Sequence, residues 1–387
     1  MILIKNSSAD ILIRDNRVIE ISDNIPVTPD MKTIDATNLV VAPGLVDIHV
    51  HFREPGFEYK EDIMTGAAAA AAGGVTTCCF MPNTSPVLDS AELLEKVIRK
   101  ANQAPITTLP IGAVTLGQRG EILTDFTALK KVGAVALSDD GIPIRDEAVM
   151  RKALIKAKEN DILIISHCEE EEPMVERDLK LAEETDSRVH IAHVSTAAAV
   201  NAIRNAKAGG IKVTAEAAPH HFCLTEDAVA EKGTLAKMSP PLRKKADVDA
   251  IVQGLCDGTI DAIATDHAPH SEEEKALPYQ KAPNGIIGLE TSLSLTLTSL
   301  YHTGKLALSE IIKLLSVNPS KILTLNSGII QPGCIADIVI FDPDEEWVVD
   351  PEKFRSKARN MPFGGTKLCG KVKYTISRGR LVYEDKE

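Results

Sequence analysis

Val46-Asp47-Ile48-His49-Val50-His51-Phe52-Arg53 is the stretch on which the fold and the site of this chain both depend. It begins as an apolar run of β-forming residues and ends in two histidines and an arginine at alternate positions. Alternate residues of a strand project from the same face, so His49 and His51 are placed to hold one metal ion, and Arg53 to meet an anionic group beside it. A His-x-His pair also arises by chance at an exposed strand end. A metal site therefore requires further ligands from the rest of the chain.

The composition and charge of the chain restrict the class of protein. Of the 387 residues, 44% are hydrophobic and 25% charged, which predicts a globular protein with one large barrel and a smaller unit. The net charge of -12, without a basic stripe, argues against a nucleic-acid partner. The seven cysteines show no C-x-x-C spacing, and Cys78 and Cys79 lie in an apolar run, which predicts buried free thiols in a reducing cytoplasm.

No targeting or membrane-spanning segment is evident in the sequence. The apolar start of the chain ends at Lys5, which is too early for a signal peptide. The alanine run 67–72 is far too short to span a bilayer and predicts a close-packed helix instead. We therefore expect a cytoplasmic protein without a membrane partner.

Residues 45–330 alternate between apolar, β-rich runs and helical periods such as 91–102, 146–158, 196–207 and 247–256. The eight candidate strands are 46–50, 75–80, 106–114, 134–138, 162–166, 189–193, 211–216 and 261–265. Near-continuous apolar runs are typical of parallel strands that are buried on both faces. Eight successive β-then-α units predict an α/β fold of the (β/α)8 TIM-barrel type. A doubly wound open sheet is the alternative, but it rarely uses eight units in sequence.

Both ends of the chain show β patterning instead. Short alternating runs lie at 2–4, 9–13 and 18–21, with Asp15-Asn16 as a turn, and again at 336–341, 347–349, 371–376 and 381–383. Chain termini often lie close together in globular proteins. We therefore predict that residues 1–44 and 331–387 form one small β-sandwich domain, with the barrel, residues 45–330, inserted between them.

Five of the predicted strands end in side chains that can bind metals. In a (β/α)8 barrel the reactive groups lie at the C-terminal ends of the strands. The candidate metal ligands are His49, His51, Asp140, His167, His193 and Asp266. Histidine and carboxylate ligands suit zinc or a similar divalent ion, and this set suffices for one ion or two. Of Asp139 and Asp140 only one needs to reach the metal, because adjacent strand residues point in opposite directions.

Other polar residues near these strand ends predict a substrate contact. Arg53 is suited to a bidentate grip on a carboxylate, and Asn83, at the end of the second strand, is a second anchor. His220 and His221 follow the seventh strand. Beside Pro219 they are more typical of hydrogen bonds beneath a site than of metal ligands.

Several motifs resemble those of the dihydroorotases, in the amidohydrolase superfamily. They are His49-Val50-His51-Phe52-Arg53-Glu54-Pro55-Gly56, Lys60-Glu61-Asp62, Ala72-Gly73-Gly74-Val75-Thr76, Met81-Pro82-Asn83-Thr84 and Ala264-Thr265-Asp266-His267-Ala268-Pro269-His270. The resemblance runs from about residue 40 to the C-terminus. It implies a zinc-dependent enzyme that interconverts N-carbamoyl-L-aspartate and L-dihydroorotate, the ring-closing step of pyrimidine synthesis.

The resemblance also implies a role for each site residue. Asp266 would be both a metal ligand and the general acid or base. The implied zinc-binding histidines are His49, His51, His167 and His193. The implied substrate contacts are His51, Arg53, Asn83, Ser239, His270, Asn284 and Gly285.

The sequence departs from the family pattern at three places. Asp140 stands where many relatives bridge two metals with a carbamylated lysine, which resembles a bacterial subgroup that uses aspartate. Ser239 stands where relatives often carry asparagine, so a polar contact to the ring is altered or comes from the backbone. The segment between His167 and His193 is short.

Other functions stay open on the sequence alone. A hydantoinase or an allantoinase would use the same barrel and metal set, although Arg53 favours a substrate that carries a carboxylate. A catalytically silent homologue that serves aspartate transcarbamoylase as a scaffold is disfavoured by the complete ligand set. A homodimer and a complex with aspartate transcarbamoylase are the macromolecular partners that we consider.

Overall fold

The computed structural model describes residues 1–386, and strands are found from the first to the last part of this range. They are β1 (Ile2–Lys5), β2 (Asp10–Arg14), β3 (Arg17–Ser22), β4 (Lys32–Asp35), β5 (Val40–Pro43), β6 (Leu45–Val50), β7 (Val75–Phe80), β8 (Thr107–Pro110), β9 (Ala136–Ser138), β10 (Leu163–Ser166), β11 (Val189–Ile191), β12 (Val213–Ala217), β13 (Ala262–Ile263), β14 (Ile338–Val348), β15 (Lys367–Ser377) and β16 (Arg380–Glu384). Each of the eight strands predicted between residues 45 and 330 overlaps one of β6 to β13, although most are shorter than expected. β8, for example, stops at Pro110, whose ring nitrogen has no hydrogen to donate.

Helices connect most of these strands. They are α1 (Ile63–Ala72), α2 (Ala91–Ala101), α3 (Phe126–Val132), α4 (Glu147–Glu159), α5 (Glu171–Thr185), α6 (Ala197–Ala208), α7 (Pro219–Cys223), α8 (Asp227–Lys232), α9 (Lys245–Asp257), α10 (Glu272–Lys275), α11 (Ser292–Thr296), α12 (Leu308–Ile312) and α13 (Asn318–Ile322). α11 and α12 continue as π-helical turns, Leu297–Tyr301 and Lys313–Val317. Short 3-10 turns lie at Leu116–Gln118, Gly233–Ala236 and Pro351–Lys353. The four helices named from sequence periodicity are confirmed.

The strands of the middle of the chain are parallel and form two sheets. One has the order β6-β7-β8 and the other the order β13-β12-β11-β10-β9. Single bridges join their edges: Gly112, just beyond β8, pairs with Leu137 in β9, and Val50 in β6 pairs with His267, just beyond β13. Backbone pairing therefore links all eight parallel strands in one series, through the two sheets and these two bridges.

Two layers of apolar side chains surround these sheets. Residues such as Val46 and Ile48 of β6 and Leu163 and Ile165 of β10 face an inner cluster. The opposite faces of the strands pack with the helices in a larger outer cluster. Burial on both faces explains why the strands read as nearly continuous apolar runs.

The ends of the chain form two further sheets. β3-β2-β1-β4 make one sheet, in which β4 pairs parallel to β1, and β16-β15-β14-β5 make the other, which is antiparallel. Isoleucines from both sheets, among them Ile4, Ile13, Ile338 and Ile376, share one buried cluster. β4 and β5 were not predicted, and the two runs predicted at 336–341 and 347–349 are one strand with a register shift.

The alanine-rich segment forms α1, as predicted. Asp62 caps this helix by accepting hydrogen bonds from the N–H groups of Met64 and Thr65, and most of its alanines are buried. Among residues 1–386, no helix has both the length and the apolar character that a membrane crossing demands. Cys78 and Cys79 are buried free thiols, also as predicted.

Candidate metal and substrate site

Six side chains meet at the C-terminal ends of the parallel strands. His49 and His51 lie at the end of β6, and the others follow β9, β10, β11 and β13. The six are His49, His51, Asp140, His167, His193 and Asp266, and none is more than 7% exposed. They fall into three overlapping groups of three, within each of which the ligand atoms all lie within 4.8 Å of one another. The fold thus brings together all six residues that the sequence indicates as ligands.

Three residues of the site adopt backbone conformations that side-chain-bearing residues rarely use. The φ angles are 59° at Arg53, 34° at His193 and 47° at Asp266. Each such residue costs on the order of 1–3 kcal/mol, so the surrounding structure must impose the conformation. Strain of this kind is typical of positions where the direction of a side chain matters for function.

Two buried atoms at the centre of this group have no hydrogen-bond partner within residues 1–386. They are Nε2 of His49 and Oδ1 of Asp140, which lie 3.3 Å apart. Beside them, Nδ1 of His167 and Nε2 of His193 face each other at 2.8 Å. Buried polar atoms are nearly always paired. Because these unpaired atoms are imidazole nitrogen and carboxylate oxygen, the donors that zinc prefers, the site fits a divalent metal.

The charges within this group are strongly coupled. Burial lowers the pKa of His49, but the surrounding carboxylates, first Asp266 and then Asp140, outweigh it and hold the pKa well above its usual value. Burial raises the pKa of Asp266, but His49 and His51 outweigh it and hold that pKa below its usual range. Burial also raises the pKa of Asp140, but His49 outweighs it and holds that pKa well below its usual value. Both carboxylates are therefore ionised at neutral pH, as cation binding requires.

Asp139 faces away from the group. Its carboxylate accepts hydrogen bonds from the N–H of Val114 at 2.8 Å, from the N–H of Thr115 at 3.1 Å and from the Thr115 hydroxyl. Asp139 thus ties the segment that follows β8 to the end of β9, and it leaves the next residue, Asp140, among the histidines. The geometry favours Asp140 as the ligand.

His220 and His221 are buried at the start of α7, outside the three groups. Nε2 of His221 donates to the carbonyl oxygen of Pro240 at 3.0 Å. Within the described residues, Nε2 of His220 has no hydrogen-bond partner. A hydrogen bond beneath the site is therefore observed for His221 alone.

Glu216 in β12 is a residue of the site that the sequence reasoning missed. It is 1% exposed, and its two oxygens lie 2.6 Å from Nδ1 of His49 and 3.2 Å from Nε2 of His190. A carboxylate bonded to the far nitrogen of a histidine fixes the tautomer and orientation of the ring, which leaves Nε2 of His49 for a metal. The available signal was a glutamate at the end of an apolar strand, since a buried carboxylate requires a partner.

Arg53 and His270 lie beside the metal-binding group. Arg53 donates from Nε to the carbonyl oxygen of Pro269 at 3.1 Å and from Nη2 to Nε2 of His270 at 3.2 Å. Burial lowers the pKa of Arg53 to about 10, so the guanidinium is still charged at neutral pH. Burial, Arg53 and Lys60 lower the pKa of His270 to about 3, so this imidazole is neutral. Arg53 therefore places a positive charge beside the candidate ligands, where an anionic group could meet it.

Two further predicted contacts lie at the same pocket. Oδ1 of Asn83 is 2.9 Å from Nδ1 of His51. Gly285 packs so closely on His270 that a Cβ added to it would lie 2.6 Å from the ring. Ser239 is half-buried and Asn284 is exposed, and within residues 1–386 neither is hydrogen-bonded to these groups. A substrate contact from either one stays a prediction.

Comparison with known proteins agrees with this geometry. The amidohydrolase family profile matches residues 40–382. This chain belongs to the amidohydrolase family. This amidohydrolase is 47% identical over 421 aligned residues to a protein named dihydroorotase from Clostridioides difficile (strain 630). The alignment covers 99% of this chain and 100% of the relative. The chain is 46% identical over 407 residues to a dihydroorotase from Citrifermentans bemidjiense, with 98% and 96% covered. The resemblance to dihydroorotases drawn from the motifs is confirmed.

Solved structures with a similar fold come from a neighbouring group of enzymes. The L-hydantoinase (dihydropyrimidinase) from Arthrobacter aurescens matches this amidohydrolase with a TM-score of 0.89 and 26% identity, covering 100% of this chain and 96% of that one. The dihydropyrimidinase from Brevibacillus agri matches with a TM-score of 0.86 at 24% identity, covering 100% and 95%. At 24% identity, the likeness to the Brevibacillus agri enzyme shows a shared fold and nothing about activity.

Proposed function

We propose that this amidohydrolase is a dihydroorotase, which interconverts L-dihydroorotate and N-carbamoyl-L-aspartate in pyrimidine synthesis. The observation that carries the proposal is Arg53, half-buried beside the metal-binding group and 3.2 Å from His270. A guanidinium at this place suits the carboxylate of dihydroorotate, which hydantoin and allantoin lack. The names of the curated relatives support the same activity.

We further propose that β6 to β13 close into a (β/α)8 barrel, residues 45–330, and that residues 1–44 and 331–387 form one β-sandwich domain. The single bridges from Gly112 to Leu137 and from Val50 to His267 support closure of the barrel. The isoleucine cluster shared by the two terminal sheets supports a single domain.

The proposed metal is zinc, as one ion or two. The ligands would be His49, His51, His167, His193 and Asp266, with Asp140 in the place of a bridging group. When bound, zinc polarises a carbonyl group and lowers the pKa of water. Glu216 would hold His49 in the tautomer that leaves Nε2 free.

The side chains of this chain supply orientation and proton transfer. Arg53, Asn83 and His270 bind the carboxylate of the substrate, so the ring amide faces Asp266 in a reactive position. Asp266 accepts the proton of the water that attacks the amide carbonyl and delivers it to the departing ring nitrogen. In the biosynthetic direction the same steps run in reverse and water leaves.

A cyclic-amide hydrolase of the hydantoinase type is the second candidate, favoured by the solved structures of similar fold. The test is metal analysis of the purified protein together with hydrolysis assays on dihydroorotate, hydantoin and allantoin. We expect bound zinc and turnover of dihydroorotate alone. Preference for an uncharged ring would support the second candidate, and zinc without any turnover would point to a non-catalytic partner of aspartate transcarbamoylase. We also propose a cytoplasmic location; a homodimer and a complex with aspartate transcarbamoylase are the two assemblies considered.

A further inference from the structure

Asn360 lies beneath the substrate pocket, in the segment that leads from β14 to β15. Its side chain is 2% exposed and uses all of its hydrogen-bonding groups. Nδ2 donates to the carbonyl oxygens of Ala268 and Gly285, both at 3.0 Å, and Oδ1 accepts from the N–H of His270 at 3.0 Å. The backbone oxygen of Asn360 also accepts from the N–H of Ile287 at 3.0 Å. One residue of the C-terminal segment thus joins two loops of the pocket.

These bonds fix the two residues that meet at the substrate pocket, His270 and Gly285. Lys275 holds the second loop from another direction, because its buried ammonium group donates to the carbonyl oxygens of Gly285 at 3.0 Å and Pro283 at 3.1 Å. The N–H of Gly285 also donates to the carbonyl oxygen of Lys237 at 2.9 Å, so the loop that carries Gly285 is held by several bonds besides those of Asn360. The main-chain N–H of His270, by contrast, is bound by Asn360.

We propose that Asn360 is a positioning residue for the carboxylate end of the substrate, an inference that rests on the proposed function. By holding His270 and Gly285 together it keeps the His270 ring against Arg53. The position requires two N–H donors and one acceptor, which asparagine supplies. Aspartate would set an oxygen against the carbonyl oxygens of Ala268 and Gly285.

The consequence for catalysis follows from the charge of the carboxylate. This charge is the same in the ground state and in the transition state, so groups that bind it contribute equally to both. Loss of such binding raises KM and changes kcat little. Replacing a residue with a purely structural role would lower stability, but it would not raise KM selectively while leaving kcat nearly unchanged.

The experiment compares Asn360→Ala and Asn360→Asp with the wild type in dihydroorotate hydrolysis, with zinc content measured in parallel. We expect KM to rise about ten-fold in each Asn360 variant, which corresponds to the loss of one to two hydrogen bonds. The value of kcat should stay within about three-fold of the wild type, and the zinc content should not change. The matched control is Asn318→Ala. Asn318 donates a comparable hydrogen bond, to the carbonyl oxygen of Asp261 at 2.8 Å, at the opposite end of β13. Its loss should lower stability and leave KM at the wild-type value.

Wild-type KM in both Asn360 variants, or the same rise in Asn318→Ala, would overturn the inference. If neither Asn360 variant folds, amide hydrogen exchange in the wild type decides: the N–H of His270 should be as protected as the strand amides, and rapid exchange would refute the bond. A metal-loaded wild type that leaves dihydroorotate unchanged refutes the proposed function instead, and the exchange measurement still tests the hydrogen bond.

Discussion

Gly285→Ala should disrupt substrate binding through a collision that the structure defines. The added Cβ would lie 2.5 Å from the carbonyl oxygen of Ala268 and 2.6 Å from Cδ2 of His270, whereas ordinary contacts begin at 3.4 Å. The His270 ring must therefore move by about 0.8 Å, away from its place beside Arg53. The backbone at Gly285, with φ of +155°, is also unfavourable for alanine.

The expected magnitude combines two effects. Overpacking costs about 1–3 kcal/mol of stability, and a displacement near 1 Å in a binding site lowers catalytic efficiency by up to about 100-fold. We expect kcat/KM for dihydroorotate to fall about 10- to 100-fold, mostly through KM, with zinc content unchanged because the collision lies outside the six ligands.

The assay is steady-state hydrolysis of dihydroorotate, with thermal unfolding and metal analysis on the same samples. Gly210→Ala is the control, because Gly210 has φ of +85° and, apart from Gly210 and its two chain neighbours, no heavy atom of residues 1–386 lies within 4 Å of the place that the added methyl group would take. It should carry the strain of its own positive φ and keep wild-type kinetics. Equal kinetic losses in the two variants, or wild-type KM in Gly285→Ala, would refute the reasoning.

Three further predictions concern the metal, the proton transfer and the pH dependence of stability. Asp266→Asn should retain most of its zinc and lose about 10³-fold in kcat, since a general acid–base group contributes about 10²–10⁴-fold; near-normal turnover would contradict the role. Glu216→Gln should weaken zinc binding about 10- to 100-fold in a chelator competition, because the carboxylate that orients His49 becomes a neutral amide; unchanged affinity would argue against it. Burial raises the pKa of Glu290 from 4.5 to about 7, so between these values the unfolded chain loses a proton that the folded protein keeps. The free energy of unfolding should therefore fall by up to about 3 kcal/mol as pH rises through this window and then level off. Urea unfolding at pH 5 and pH 8 measures this. Glu290→Gln should reduce the difference without removing it, because burial also raises the pKa of Asp47 to about 7 and that of Asp139 to about 6; an equal pH dependence in that variant would sink the assignment.

The sequence predicts the strands of the middle region well because parallel strands are buried on both faces. It missed β4 and β5, which have only four residues each and depend on partners far away in the chain. β4 pairs parallel with β1, and β5 pairs with β14. Local patterns contain no information about such pairings.

The clustering of the six candidate ligands could also be predicted, because the ends of parallel strands converge on one face of the sheet. The residues that support the ligands could not. Glu216 contacts His49 across 167 positions of sequence, and Asn360 contacts His270 across 90. Neither contact follows from periodicity, since each depends on which side chains the folded backbone brings within hydrogen-bonding distance.

The bridge between Val50 and His267 places part of the candidate metal site at the seam between the first and the last parallel strand. There the N–H of His51 donates to the carbonyl oxygen of His267 at 2.9 Å, between histidine ligands on one side and Asp266 on the other. An ion bound by residues on both sides of the seam would link the two strands, so its binding free energy would also oppose their separation. A chelator should therefore loosen the fold at this place first, before the remaining strands separate.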